Sequence, residues 1–151
     1  METKLVSNPL KTIFVEGNLS KDLIFKKHLP SENGILTTGN WNFCLSNLTF
    51  LINHQTPFSI SEFINITTNL ISAYQENITG SHVLSYVPIQ RFHLQGEAKT
   101  KKLINFDKTW FNVNSASDSL KIFLKFYPDN GINMNELDID FQFTFLYYRM
   151  I

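Results

Sequence analysis

Cysteine, glycine and net charge are all scarce in this chain, and each shortage excludes something. Its 151 residues include one cysteine, Cys44. A single thiol cannot close an internal disulfide, so the fold does not depend on oxidation. Cys44 lies in an apolar run with Trp41, Phe43 and Leu45, where a free cysteine is expected to be a small buried hydrophobe. A nucleophilic cysteine needs a nearby base and an electropositive setting, and the neighbouring residues supply neither. The 6 glycines are not clustered, which excludes a glycine-rich phosphate loop. No serine sits in a nucleophile elbow. Lys and Arg together number 13, as do Asp and Glu, so the net charge is zero. Binding through a basic surface requires a cationic footprint, and direct nucleic-acid binding is not expected. No run approaches the roughly 20 apolar residues of a membrane span, so no membrane partner is expected. The polar start Met1-Glu2-Thr3-Lys4 is not followed by an export signal. The expectation is synthesis in cytoplasm or nucleus, without secretion by a signal peptide.

Clustered metal ligands are missing too. His28, His54, His82 and His93 do not pair at three- or four-residue spacing, so no metal and no other cofactor is expected. Asp138 and Asp140 share one strand face, and paired carboxylates can do general acid–base work. Their strand has its core on the other side, so a solvated face accounts for them better. The run Lys99-Thr100-Lys101-Lys102 reads as a solvated loop. Asparagine occurs 16 times and creates glycosylation-like tripeptides at Asn18, Asn47, Asn65 and Asn77. Without an export signal these are read as unmodified. No catalytic constellation emerges, and the protein is not expected to be an enzyme.

What is abundant is aromatic residues in alternation. The chain carries 14 Phe, 5 Tyr and 2 Trp, which suit the inner faces of packed sheets. Leu120, Ile122, Leu124 and Phe126 alternate along one segment; Leu137, Ile139, Phe141, Phe143, Phe145 and Tyr147 alternate along another. The turn residues Pro128-Asp129-Asn130-Gly131 lie between them, and the pattern predicts a β-hairpin. Further strands are expected over 11–16, 41–53, 63–72, 82–87 and 103–113, with 19–29 either strand or short helix. Within 41–53 the apolar positions switch from odd (Trp41, Phe43, Leu45) to even (Leu48, Phe50, Ile52). A switch of parity requires an inserted residue, so a bulge or bend is predicted near Ser46-Asn47. Residues 74–81 are expected as a loop, 89–102 as a long loop with some extended structure, and 114–118 as a turn. Residues 1–10 read as a short arm and 11–151 as one domain. The expectation is an all-β antiparallel sandwich of jelly-roll type with about eight strands.

Phe123, Leu146 and Tyr148 occupy the face opposite the core pattern in their strands. An apolar patch on an outer face marks a subunit or partner contact, and these three are the interface candidates. The other reading buries both faces inside the domain. Lys121, Phe123 and Lys125 share a face, read as exposed or interfacial rather than as a nucleic-acid site.

The stretch Ile66-Thr67-Thr68-Asn69-Leu70-Ile71-Ser72, then Gly80-Ser81-His82-Val83-Leu84, and the ending Leu146-Tyr147-Tyr148-Arg149 carry a resemblance. Over residues 64–149 the chain resembles the single jelly-roll capsid proteins, penton or minor, of adenovirus-like and virophage-like elements, polintons and adintoviruses. The resemblance implies a structural protein of a virion that self-associates as a pentamer or trimer and meets other capsid proteins. Two rivals stand beside it. One is a lectin-like or receptor-ligand binding module using loops such as 73–82 or 88–102. The other is a cupin-like enzyme, which would need clustered metal ligands.

Overall fold

The computed structural model describes residues 10–22, 24–28, 41–53, 58–59, 63–76, 82–113, 119–125 and 137–150, with the backbone alone at 28, 58–59, 71–76, 82–87, 119 and 125. Among these residues eleven strands form: β1 (Lys11–Asn18), β2 (Phe25–His28), β3 (Trp41–Ile52), β4 (Phe58–Ser59), β5 (Ile64–Glu76), β6 (His82–Phe92), β7 (Gln95–Gly96), β8 (Lys101–Asn105), β9 (Phe111–Val113), β10 (Ser119–Lys125) and β11 (Ile139–Arg149). No helix occurs among the described residues.

The strands form an antiparallel β-sandwich. One sheet has the order β1-β11-β3-β8, with β9 also pairing β3; the other has the order β2-β10-β5-β6; β4 and β7 form a small third pair. Every pairing is antiparallel. With the short β4, β7 and β9 set aside, eight main strands remain and their pairing is nested. The first strand pairs with the last (β1 with β11), the second with the seventh (β2 with β10), the third with the sixth (β3 with β8) and the fourth with the fifth (β5 with β6).

The core lies between the two sheets, built from inward positions of both. β11 is flanked by β1 and β3 and supplies Phe141, Phe143, Phe145 and Tyr147, all buried. Phe25, from the second sheet, meets Phe141 and Phe143 edge to face with centroids 5.8 and 5.3 Å away. Burying a Phe stabilises by about 1.5–3 kcal/mol, and edge-to-face contacts suit the ring quadrupole. Close approach has one backbone requirement. A Cβ on Gly17 would stand 2.5 Å from Phe25 Cδ1, so glycine lets the ring lie over β1.

The expected phase change in β3 is a bulge. Asn47 pairs with Thr144 and Leu45 with Phe145, leaving Ser46 without a partner on β11. The Ser46 carbonyl instead accepts a hydrogen bond from the Phe106 amide at 3.1 Å.

Several local expectations need correction. β10 and β11 do not form a hairpin: β10 pairs β2 and β5, while β11 pairs β1 and β3 in the other sheet. Both edges of each strand are taken, so neither offers an edge to the other. The Pro128–Gly131 turn lies outside the described residues, as do 114–118 and nearly all of the arm. The strand expected over 103–113 is two strands, β8 and β9, which pair with successive parts of β3. β5 runs through to Glu76, into the expected loop. β6 passes through Pro88 to Phe92 rather than ending there. Proline is tolerated because β6 is an edge strand, and Pro88 sits where the β5–β6 register shifts. In 19–29 the strand, Phe25–His28, is what forms. The lysine run is a turn only in part: Lys99 adopts a left-handed φ of 68°, and Lys101 and Lys102 open β8.

Candidate functional site

The two inner faces are consumed by the core, so recognition falls to outer faces and strand ends. The outer face of the β1-β11-β3-β8 sheet holds the most developed site. Because Ile13 and Val15 point inward, Phe14, Glu16 and Asn18 point outward, and alternation does the same along the partner strands. The register sets out three rows across this face: Phe14–Thr144–Asn47–Asn105, Glu16–Gln142–Thr49–Leu103 and Asn18–Asp140–Leu51–Lys101. Glu16, Asn18, Thr49, Leu51, Lys101, Asp140 and Gln142 line an open cavity of about 530 Å³ there.

Amides hold the carboxylates at this end. Asn18 Nδ2 donates to Asp138 Oδ1 at 2.6 Å and to Asp140 Oδ1 at 2.8 Å. Asn53 Nδ2 donates to Asp140 Oδ2 at 2.8 Å. The Ser20 amide and hydroxyl both donate to Asn18 Oδ1, which orients the Asn18 side chain with its NH₂ towards the aspartates. Gln142 Nε2 donates to Glu16 Oε1 at 2.7 Å. The hydrogen bonds from Asn18 and then Asn53 hold the Asp140 carboxyl below its ordinary range. Such a group is a carboxylate at neutral pH and has no proton to give. The paired aspartates therefore act as a clamp that joins the end of β1, the end of β3 and the start of β11. Among the described residues no group of three or more His, Cys, Asp or Glu side chains could hold a metal ion.

The other end of the same face is aromatic. Tyr148 accepts a hydrogen bond from Asn42 Nδ2 at 2.8 Å and meets the Trp110 ring edge to face with centroids 5.1 Å apart. Leu146 lies opposite Cys44 and Thr12 and is half-buried. Cys44 is fully buried, and burial pushes its thiol pKa up.

Of the three interface candidates, Leu146 and Tyr148 share this face. Phe123 does not: β10 belongs to the opposite sheet, and there Phe123 is half-buried opposite Thr67. The fold therefore does not assemble the three into one patch. The most exposed large apolar side chains on the first sheet's outer face are Phe14 at 49% and Leu103 at 57%, and the sequence reading passed over both. Phe14 had a signal, since it alternates against Ile13 and Val15. Leu103 had none, because its strand was merged with β9.

No model of a known protein family matches the chain, and no curated protein matches it.

Proposed function

We propose that this protein is a non-enzymatic structural subunit of a viral or virus-derived particle, penton-like or minor capsid, that self-associates through a jelly-roll sandwich. The nested pairing of the eight main strands carries the reading, because jelly rolls of two four-stranded sheets are the architecture of many capsid domains. The resemblance over residues 64–149 points the same way. The exposed apolar side chains Phe14 and Leu103 on a rigid sheet face suit a protein that meets other subunits. Its partners in this reading are further copies of itself and other capsid proteins, and its place is the virion. Light scattering coupled to size-exclusion chromatography over a range of concentrations tests it. A discrete pentamer or trimer is expected, and a strict monomer at high concentration overturns it.

A second reading rests on a different observation. The open cavity is lined at the end of β1 by Asn18, which opens the 18–22 turn, and at the start of β8 by Lys101, which follows the 97–100 turn. It suits a sandwich module that recognises a glycan or protein through its loops. A glycan array with the intact protein tests this reading; binding that is lost in Asp140→Ala supports it, and an array with no binder removes it.

A further inference from the structure

The outer face of the β1-β11-β3-β8 sheet has a self-complementary layout. Phe14 and Glu16 lie on the edge strand β1, Leu103 and Lys101 on the edge strand β8. All four side chains are exposed and point away from the core. Glu16 and Leu103 share a row; Phe14 is one row to one side and Lys101 one row to the other. The step from Phe14 to Leu103 therefore equals the step from Glu16 to Lys101: three strand spacings across, about 14 Å, and one row along, about 7 Å. Asp140 adds a second carboxylate next to Asn18, on the half of the face that carries Glu16.

A two-fold axis lying between two such faces, roughly along the strands, places the β1 edge of each copy over the β8 edge of the other. Tilting the axis so that Phe14 sits over the second copy's Leu103 leaves Glu16 about 6 Å to the side of the second copy's Lys101 position, or about 12 Å away once the spacing of two packed sheets is included. The Glu and Lys side chains span that distance. Each contact occurs twice, which is the property of an isologous interface. The acidic half meets the basic half, and the two apolar side chains cover each other. Between them the face presents Asn47, Thr49, Leu51 and Gln142, while Thr144 is buried. We infer that this sheet face is a docking surface for a second copy of the same chain.

The inference rests on the self-association proposed above and names one surface for it, a two-fold contact separate from any ring contact. Charge reversal tests it in the full chain. Light scattering and sedimentation equilibrium are expected to show the trimer or pentamer in equilibrium with its pair, a hexamer or decamer, and the pairing step weakens about tenfold in Glu16→Lys and in Lys101→Glu. That size follows from two exposed ion pairs turned into like-charge pairs, each of modest strength. The double variant, Glu16→Lys with Lys101→Glu, should return to within about threefold of the parent. Phe14→Cys with Leu103→Cys should give a covalent dimer with a short bifunctional thiol reagent, which reaches across facing sheets about 10 Å apart but not across the about 16 Å within one chain. Circular dichroism of each variant confirms folding. A trimer or pentamer whose mass ignores the reversals overturns this inference, leaves the structural reading standing and gives the face to another occupant. A monomer at every concentration overturns both.

Discussion

Leu45 and Leu48 both face the core although three positions separate them, and Ser46 between them is the residue that lacks a partner on β11. In an unbroken strand, residues an odd number apart point to opposite faces. The bulge absorbs one residue and keeps Trp41, Phe43 and Leu45 on the same side as Leu48, Phe50 and Ile52. Deleting Ser46 leaves Leu45 and Leu48 two apart with their common face intact, whereas deleting Thr49 from the regular part of the strand should turn one half of β3 inside out. The expected outcome of the Thr49 deletion is loss of the cooperative unfolding transition. Ser46→Ala, which keeps the residue count, should change the unfolding free energy from urea titration by less than about 1 kcal/mol.

Parity is visible in any single strand, so the switch near Ser46-Asn47 could be read directly from the order of apolar residues. The hairpin of β10 and β11 could not be judged in the same way. Their alternation was read correctly, but alternation does not say which strand lies alongside.

Phe143 is fully buried between the sheets and packed against Phe25. Phe143→Ala should cost about 3–5 kcal/mol, the range for removing a large core side chain. Phe14→Ala, on the exposed outer face of the same sheet, should stay within about 0.5 kcal/mol when measured on dilute protein. Chemical denaturation of the two variants side by side checks the assignment of inner and outer faces.

The clamp on Asp140 sets an acid limit on stability. Its folded pKa lies below the ordinary value of 3.8 because Asn18 and Asn53 donate to the carboxylate. The stability this contributes is fully present above 3.8 and is lost as the pH falls through the folded value. Asp140→Asn should therefore be less stable than the parent at neutral pH, by no more than about 1 kcal/mol because the site is open to water. The difference should shrink below pH 4. Thermal melts of both proteins between pH 2.5 and 7 measure this, and a constant difference across that range would contradict the clamp.

Cys44 is fully buried and its thiol pKa is raised by burial. A thiol reagent should label the folded protein only as fast as it unfolds, and completely in denaturant. Labelling within minutes under native conditions would show that the segment around β3 opens locally.

Trp41 is buried, and its indole Nε1 has no hydrogen-bond partner among the described residues. Trp41→Phe removes that donor while keeping an aromatic ring beside Tyr147, 5.9 Å away. It should cost less than about 1.5 kcal/mol, against about 3–5 kcal/mol for Trp41→Ala. Urea midpoints of both variants compare the two effects.

The amino-acid order by itself determined the class of fold, the inward and outward sets along most strands, and the bulge in β3. All three follow from the direction of Cβ along an extended backbone, a property of neighbouring residues. Only the tertiary structure decided that β10 and β11 belong to different sheets, that β8 and β9 are separate, and that Phe14, Glu16, Leu103 and Lys101 share one outer face. Those outcomes depend on which edges remain free once the long strands have paired. Strand pairing joins residues such as Lys11 and Tyr147, more than a hundred positions apart, and no local pattern records the choice.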